Sequence, residues 1–480
     1  MGRFKVIGPP GTGKTRRLLG EVQHYVREGM PLDRIGYFAF TRKAAGEARD
    51  RYLKVETQLT KKDLKHFQTI HSLAFKALGL KEENVMQELN YKRIGEECGI
   101  QVTYASYETN SWNGIFSSDS EYLSLINLAR VRQITPLEQV DRNEHLTRIN
   151  RHKVDAIAKE IEDYKKVHGL IDFTDMLEKF LAKGKSPNLH ALFVDEAQDL
   201  SLIQWAIIEK MERDIGCDVW VAGDDDQAIF GWAGADVNSF INWKAWEDIP
   251  LKHSRRVPKL IQREALSIID RVEGNRLKKT YFPKEAEGNI LEVNKLNDID
   301  MTKGDWLILA RTNPLLQHVP AFLKRKGLFF ETTQGNSMGK ALFEDVGHWK
   351  KLRKGEDVPD IQKQRVLERI KDKPNFDLEW YEAFTNVSST TIEYLRSMLS
   401  NKEDLSKKPR IKVSTIHGAK GGEATNVVLF LNQTINTVKA AKKSTDRRDE
   451  EFRVWYVGVT RAIQNIYLVK CKNKKKEFKL

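Results

Sequence analysis

Residues 8–15 read Gly8-Pro9-Pro10-Gly11-Thr12-Gly13-Lys14-Thr15, the spacing G-x-x-x-x-G-K-T. An apolar run from Phe4 to Ile7 precedes this loop, and a helical pattern from Arg16 follows it. Strand, glycine loop and helix in that order commit the start of the chain to an α/β layer. Backbone N–H groups of Gly8, Gly11, Thr12 and Gly13 would curl around phosphates at a helix N-terminus, where the dipole favours negative charge. Lys14 would reach the β- and γ-phosphates, and the Thr15 hydroxyl would hold Mg²⁺. The sequence therefore predicts a chain that binds and hydrolyses a nucleoside triphosphate.

Apolar β-type runs recur at 4–7, 35–40, 191–194, 218–222, 290–293, 306–310, 411–415, 426–431 and 465–469. Helical patterns at 43–53, 70–78, 202–212, 258–272 and 314–326 separate many of them. The alternation predicts parallel sheets in two α/β lobes. Residues 80–187 and 351–409 are polar or charged and helical in pattern. They read as helical insertions, one in each lobe. The predicted division is 1–79 with 188–250 for the first lobe, and 251–350 with 410–480 for the second.

The chain has 480 residues and a formal charge of +13. A basic excess of that size suits a polyanionic partner, nucleic acid above all. Cys98, Cys217 and Cys471 are far apart and form no C-x-x-C pair, which speaks against a disulfide framework or zinc site. No apolar stretch reaches the roughly 18 residues of a membrane span, and Met1-Gly2-Arg3-Phe4-Lys5 runs straight into a strand without a signal peptide. The expectation is a cytoplasmic protein without a membrane partner. The lysine-rich stretch from Lys470 to Leu480 reads as solvated chain.

Two further motifs carry chemistry. Residues 191–199 end an apolar strand in Asp195-Glu196, followed by Gln198 and Asp199. Asp195 is a candidate Mg²⁺ ligand, and Glu196 a candidate base for the attacking water. Residues 223–234 read Gly223-Asp224-Asp225-Asp226-Gln227-Ala228-Ile229-Phe230-Gly231-Trp232-Ala233-Gly234. Gln227 could sense a γ-phosphate, and Trp232 offers a flat surface for stacking a base.

Together these stretches resemble the superfamily 1A DNA helicases of the UvrD/Rep/PcrA group. The resemblance also takes in Phe40-Thr41-Arg42-Lys43-Ala44-Ala45, Thr69-Ile70-His71-Ser72, Val413-Ser414-Thr415-Ile416-His417-Gly418-Ala419-Lys420-Gly421-Gly422-Glu423 and Tyr456-Val457-Gly458-Val459-Thr460-Arg461-Ala462. These follow the family's order from residue 8 to residue 462.

The resemblance implies two RecA-like lobes that clamp ATP and bind single-stranded DNA, each lobe with an inserted domain. It implies that Lys14, Thr15, Asp195, Glu196 and Gln227 act from the first lobe, and Arg256 and Arg461 from the second. A guanidinium supplied in trans would stabilise charge on the γ-phosphate. Glu423 resembles the residue that approaches the nucleotide ribose. Phe40 and Trp232 would stack on bases, while Thr41, Thr69, His71, Thr415 and His417 would contact phosphates without reading sequence. The implied activity is an ATP-dependent single-stranded DNA translocase and helicase of 3′ to 5′ polarity. Tailed or forked duplexes would be its substrates, and replication or repair proteins its candidate partners. A nucleotide-switched DNA-binding scaffold without efficient turnover is the alternative.

Four features depart from the family pattern. Only seven residues precede Gly8, so the usual adenine-reading glutamine segment is missing. Arg255 replaces the tyrosine that would stack on the base; its guanidinium can also stack. The expected consequence is activity with GTP or dATP as well as ATP. Ala233 replaces an arginine beside Trp232, and the second insertion is short. The expectation is a compact, less regulated motor with no nuclease domain.

Overall fold

The computed structural model describes residues 2–107, 116–142 and 149–480. Segments 108–115 and 143–148 of the first insertion lie outside the described residues. The chain divides into two compact units: Met1–Arg255 with Asn275–Phe282, and Arg256–Gly274 with Pro283–Leu480.

The first unit is built on β1 (Arg3–Ile7), β2 (Ile35–Ala39), β3 (Phe67–Gln68), β4 (Ala105–Tyr107), β5 (Phe116–Ser118), β6 (Ala191–Asp195), β7 (Asp218–Gly223) and β8 (Glu247–Pro250). Six of them form one parallel sheet in the order β3-β2-β6-β7-β1-β8. Strands β2 and β6 are buried along their whole length. That is why they read as continuous apolar runs rather than alternating ones. Helices α1 (Lys14–Arg27), α2 (Arg42–Val55) and α3 (Ile70–Ala77) each follow a strand. Helix α1 turns Leu18, Leu19 and Val22 inward at helical spacing. They join Val6, Tyr37 and Phe193 in the core.

Between α3 and β6 lie the described helices of the insertion: Glu88–Glu97, Glu121–Val131, Pro136–Arg142, Arg151–His168 and Phe173–Lys183. β4 and β5 pair antiparallel within it. Arg130 and Lys165 share the buried carboxylates Asp172 and Asp175 at the start of the last helix. Asp172 caps that helix through the Asp175 N–H.

Two strands not evident in the sequence, β9 (His253–Pro258) and β10 (Phe282–Lys284), pair with each other. The second unit carries β11 (Asn289–Val293), β12 (Trp306–Ala310), β13 (Phe330–Thr332), β14 (Gly335–Asn336), β15 (Ile411–Thr415), β16 (Ala424–Phe430) and β17 (Ala462–Val469). Their order is β11-β17-β16-β12-β15-β13-β14. Every pair is parallel except β13 with β14. Trp306, Ile308, Leu323, Val413 and Val428 fill its core.

Two boundaries differ from the expectation. The pattern at 314–326 resolves into a 3₁₀ turn at Asn313–Leu316 and a helix at Val319–Arg325. Pro314 and Pro320 lack the N–H groups that a continuous helix needs, so each sits in the first turn of its own element. The second helical insertion has its own core of Trp349, Val366, Trp380, Phe384, Leu395 and Met398. That core takes in the helix Lys340–Arg353, so the helical region begins ahead of residue 351.

Candidate nucleotide and nucleic-acid sites

In a parallel sheet with helices on both faces, ligands bind at the carboxyl ends of the strands. The first unit places its chemistry there. β1 runs into the phosphate loop, β2 into Phe40-Thr41, β3 into Thr69, β6 into Asp195-Glu196 and β7 into Asp224.

The phosphate loop is tied to the end of β7 and to its own lysine. The Gly8 N–H donates to the Gly223 carbonyl at 3.0 Å. The Lys14 ammonium donates back to the Gly8 carbonyl at 3.1 Å and lies 3.8 Å from Glu196 Oε1. Gly13 caps α1 at φ +93°, a left-handed conformation that glycine adopts without steric cost. A Cβ on Gly8 would stand 2.3 Å from the Lys14 Cγ. Glycine at position 8 is therefore a packing requirement of the lysine.

Asp195 is buried, and one of its oxygens accepts two hydroxyls, from Thr15 at 2.6 Å and Tyr37 at 2.8 Å. Burial and then the neighbouring Glu196 push the Asp195 carboxyl above its ordinary range. Mg²⁺ takes oxygen ligands and keeps waters and substrate phosphates beside one or two protein groups. The Thr15 hydroxyl and the Asp195 carboxylate fit that donor set. Among the described residues, no group of three or more His, Cys, Asp or Glu could hold a metal by itself.

Glu196 sits at φ +54°, unusual for a residue with a side chain. Its carboxylate accepts from the Gln198 amide at 2.6 Å. The Gln198 carbonyl oxygen accepts the Asp224 N–H at 3.0 Å, tying the end of β6 to the end of β7. Asp224 in turn accepts the Gln227 amide at 2.7 Å. Lys14, Thr15, Asp195, Glu196 and Gln227 thus belong to one bonded network. The sequence names Gln198 only within its motif and gives it no role, because its tie to Asp224 spans 26 residues. Nothing marks Tyr37, whose partner Asp195 lies 158 residues away.

β9 lies against the same loop. The Arg255 N–H donates to the Gly11 carbonyl at 2.9 Å, and the Ser254 hydroxyl to the Pro10 carbonyl at 2.7 Å. The Arg255 side chain is exposed. The Thr12 hydroxyl donates to the Pro9 carbonyl at 2.7 Å.

Three threonines expected to touch DNA also shape the backbone. Thr41 caps α2 by accepting the Ala44 N–H, and Thr69 caps α3 by accepting the Ser72 N–H. Thr415 accepts the Gly418 N–H at 3.1 Å in the second unit. Thr69 and His71 are buried. The His71 ring packs against Phe173, and burial, then Arg42, pushes its pKa down to about 4. The imidazole is therefore neutral near pH 7 and could meet a phosphate only as an N–H donor.

An aromatic row runs from Phe40 to Phe230 at 5.3 Å and on to Trp232 at 6.4 Å between ring centroids. Phe40 and Phe230 are buried, while Trp232 is 41% exposed. Phe40, His71 and Phe230 line a recess with Val131, Leu177 and Ala233.

In the second unit, Arg461 is buried where the helix Thr445–Val459 meets β17. Its guanidinium donates to the carbonyls of Val457 at 2.9 Å and Gly422 at 3.2 Å. Arg256 Nε donates to the Glu423 carboxylate. Arg256, Glu423 and Arg461 share the second unit with Thr415 and His417.

The UvrD/REP helicase N-terminal domain family matches residues 1–245, and the UvrD-like helicase C-terminal domain family matches residues 349–473. A "Probable DNA helicase" of Mycoplasma pneumoniae is 29% identical over 49% of this chain and 46% of its own length. DNA helicase II of Haemophilus influenzae is 21% identical over 92% of this chain and 62% of its own. The ATP-dependent DNA helicase PcrA of Leuconostoc citreum is 26% identical over 70% of this chain and 48% of its own. The chain thus spans between 46% and 62% of the length of these relatives.

Proposed function

The chain belongs to the UvrD/REP helicase family, and from that premise we propose that it is an ATP-dependent translocase and helicase on single-stranded DNA, moving 3′ to 5′. One observation carries this reading. The phosphate-loop lysine, the paired acids after β6 and the glutamine after β7 are joined by an ion pair and hydrogen bonds at the carboxyl edge of one sheet.

Each residue then has a physical task. The loop N–H groups and Lys14 bind the phosphates of ATP. Thr15 and Asp195 would hold Mg²⁺, which would supply positive charge against the negative charge of the phosphates. Glu196 orients the attacking water and takes its proton. Gln227 senses the γ-phosphate from its place on Asp224. Arg256 and Arg461 supply positive charge in the transition state, and Glu423 approaches the ribose. Arg255, exposed beside Gly11, stacks on the base with little selectivity, which supports use of GTP or dATP.

Single-stranded DNA runs past Trp232, which offers its open face for stacking beside Phe40 and Phe230. Thr41, Thr415 and His417 meet the phosphate backbone, and Thr69 and His71 support the recess behind it. The 3′ to 5′ direction rests on the resemblance of Val194–Asp199 and Gly223–Gln227 to the group of that polarity. Tailed and forked duplexes are the proposed substrates, and replication and repair the proposed settings.

The test is ATP hydrolysis with and without single-stranded DNA, with Lys14→Ala as the blank, followed by unwinding of duplexes tailed on one side. Strong stimulation by DNA that vanishes in the variant, with unwinding from 3′ tails, is the expected result. Slow turnover indifferent to DNA would move the reading to a nucleotide-switched scaffold. Unwinding only from 5′ tails would overturn the polarity.

A further inference from the structure

Asp224, Asp225 and Asp226 follow one another at the end of β7, and all three are buried. Carboxylates so placed repel one another and are costly to keep ionised without cations. The cations come from Asn275–Phe282, the short segment that belongs to the first unit although both flanking stretches belong to the second. The Lys279 ammonium lies 2.7 Å from Asp224 and 2.9 Å from Asp226, and it also pairs with Asp225. Arg276 grips Asp226 through Nε at 2.7 Å and Nη2 at 3.2 Å. The Leu277 N–H donates to Asp225 at 2.9 Å.

We infer that Lys279 and Arg276 are positioning residues for hydrolysis, fixing the carboxamide of Gln227 through the three aspartates. The link is Asp224, which accepts both Lys279 Nζ and the Gln227 amide. An ionised carboxylate only accepts hydrogen bonds. It therefore obliges the Gln227 nitrogen to face Asp224 and sets the carbonyl oxygen on the other side of the amide. Without its cations the run would take up a proton, and a protonated Asp224 no longer dictates which way the amide faces. Burial alone would raise the Asp224 pKa, but Lys279 and then Lys14 outweigh it and hold the carboxyl below its ordinary range. Asp225, by burial first, is pushed the other way, so the run depends on its cations.

This inference rests on the reading of Gln227 given above. The experiment is steady-state hydrolysis at saturating DNA for Lys279→Met and Arg276→Gln, each alone and combined with Gln227→Ala, with far-UV circular dichroism as the check on folding. The expected result is a kcat loss of at least about tenfold for Lys279→Met and about threefold for Arg276→Gln, with KM for ATP within about twofold. In the Gln227→Ala background neither substitution should lower kcat further, since residues acting through one group are not additive. Folded variants with unaltered kcat, or losses that multiply with Gln227→Ala, overturn the inference. If Lys279→Met does not fold, Arg276→Gln decides, because Arg276 is partly exposed and Lys279 remains to neutralise the run. Absent turnover in the unsubstituted chain overturns the proposed function, and this inference with it.

Discussion

The hydroxyl of Thr15 donates to the carboxylate of Asp195 over 2.6 Å, and the Tyr37 hydroxyl donates to the same oxygen from the neighbouring strand. Removing the tyrosine hydroxyl leaves a buried acid with one donor fewer. Tyr37→Phe should destabilise the fold by about 1–2 kcal/mol. It should also raise the Mg²⁺ concentration for half-maximal turnover by about tenfold, the usual cost of losing a supporting hydrogen bond behind a metal ligand. Urea melts and a Mg²⁺ titration of the ATPase check the two effects separately.

Gly8→Ala tests the contact between the loop and its lysine. The added Cβ would meet the Lys14 Cγ at 2.3 Å, near the base of the side chain and not at its flexible end. The lysine must move, so turnover should fall to the level of Lys14→Ala. Retained ATPase in a folded Gly8→Ala protein would show that the loop relaxes in a way the packing does not suggest.

How far the sequence discloses these features depends on where each residue's partners lie. β12 occurs at the residues its apolar run marks, because it lies inside a parallel sheet and is buried along its whole length; β15 shows instead by alternation, with Ile411 and Val413 buried and Lys412 exposed. β3 is two residues long, and β8 carries Glu247 and Asp248 at a sheet edge, so neither leaves a periodic signal. The phosphate loop and the Asp195-Glu196 pair are legible because their chemistry needs fixed local spacing. Lys279 is not legible, since it sits in a stretch that reads as a basic loop and its partners lie 53 to 55 residues upstream. The threonines show a further limit: a cap and a phosphate contact ask for the same side chain at the same place.

Trp232 is the exposed end of the aromatic row, and Trp232→Ala should weaken single-stranded DNA binding by about 1–3 kcal/mol. The substitution removes no charge, so the dependence of affinity on salt should keep its slope. Fluorescence anisotropy at several salt concentrations measures both. A changed slope with unchanged affinity at low salt would speak against stacking.

His71 predicts a pH effect on stability. Its pKa is about 4 when folded and about 6.5 in an unfolded chain. Between these values the unfolded state binds the extra proton, so stability is lost as pH falls from 6.5 to 4 and is fully present above 6.5. The loss from this group is about 3 kcal/mol. Denaturant melts across that range should be flatter for His71→Gln than for the unsubstituted protein.

The segment Asn275–Phe282 also governs how this protein can be cut into pieces. A fragment ending at Arg255 contains the whole parallel sheet of the first unit, yet it discards the ammonium and guanidinium that neutralise Asp224, Asp225 and Asp226. Such a truncated lobe would carry three buried acids at the end of a central strand with only Lys14 and Lys5 left to offset them. An expressible lobe needs residues 275–282 grafted back through a linker, and a screen of truncation end points should reveal that requirement as a gap in soluble yield.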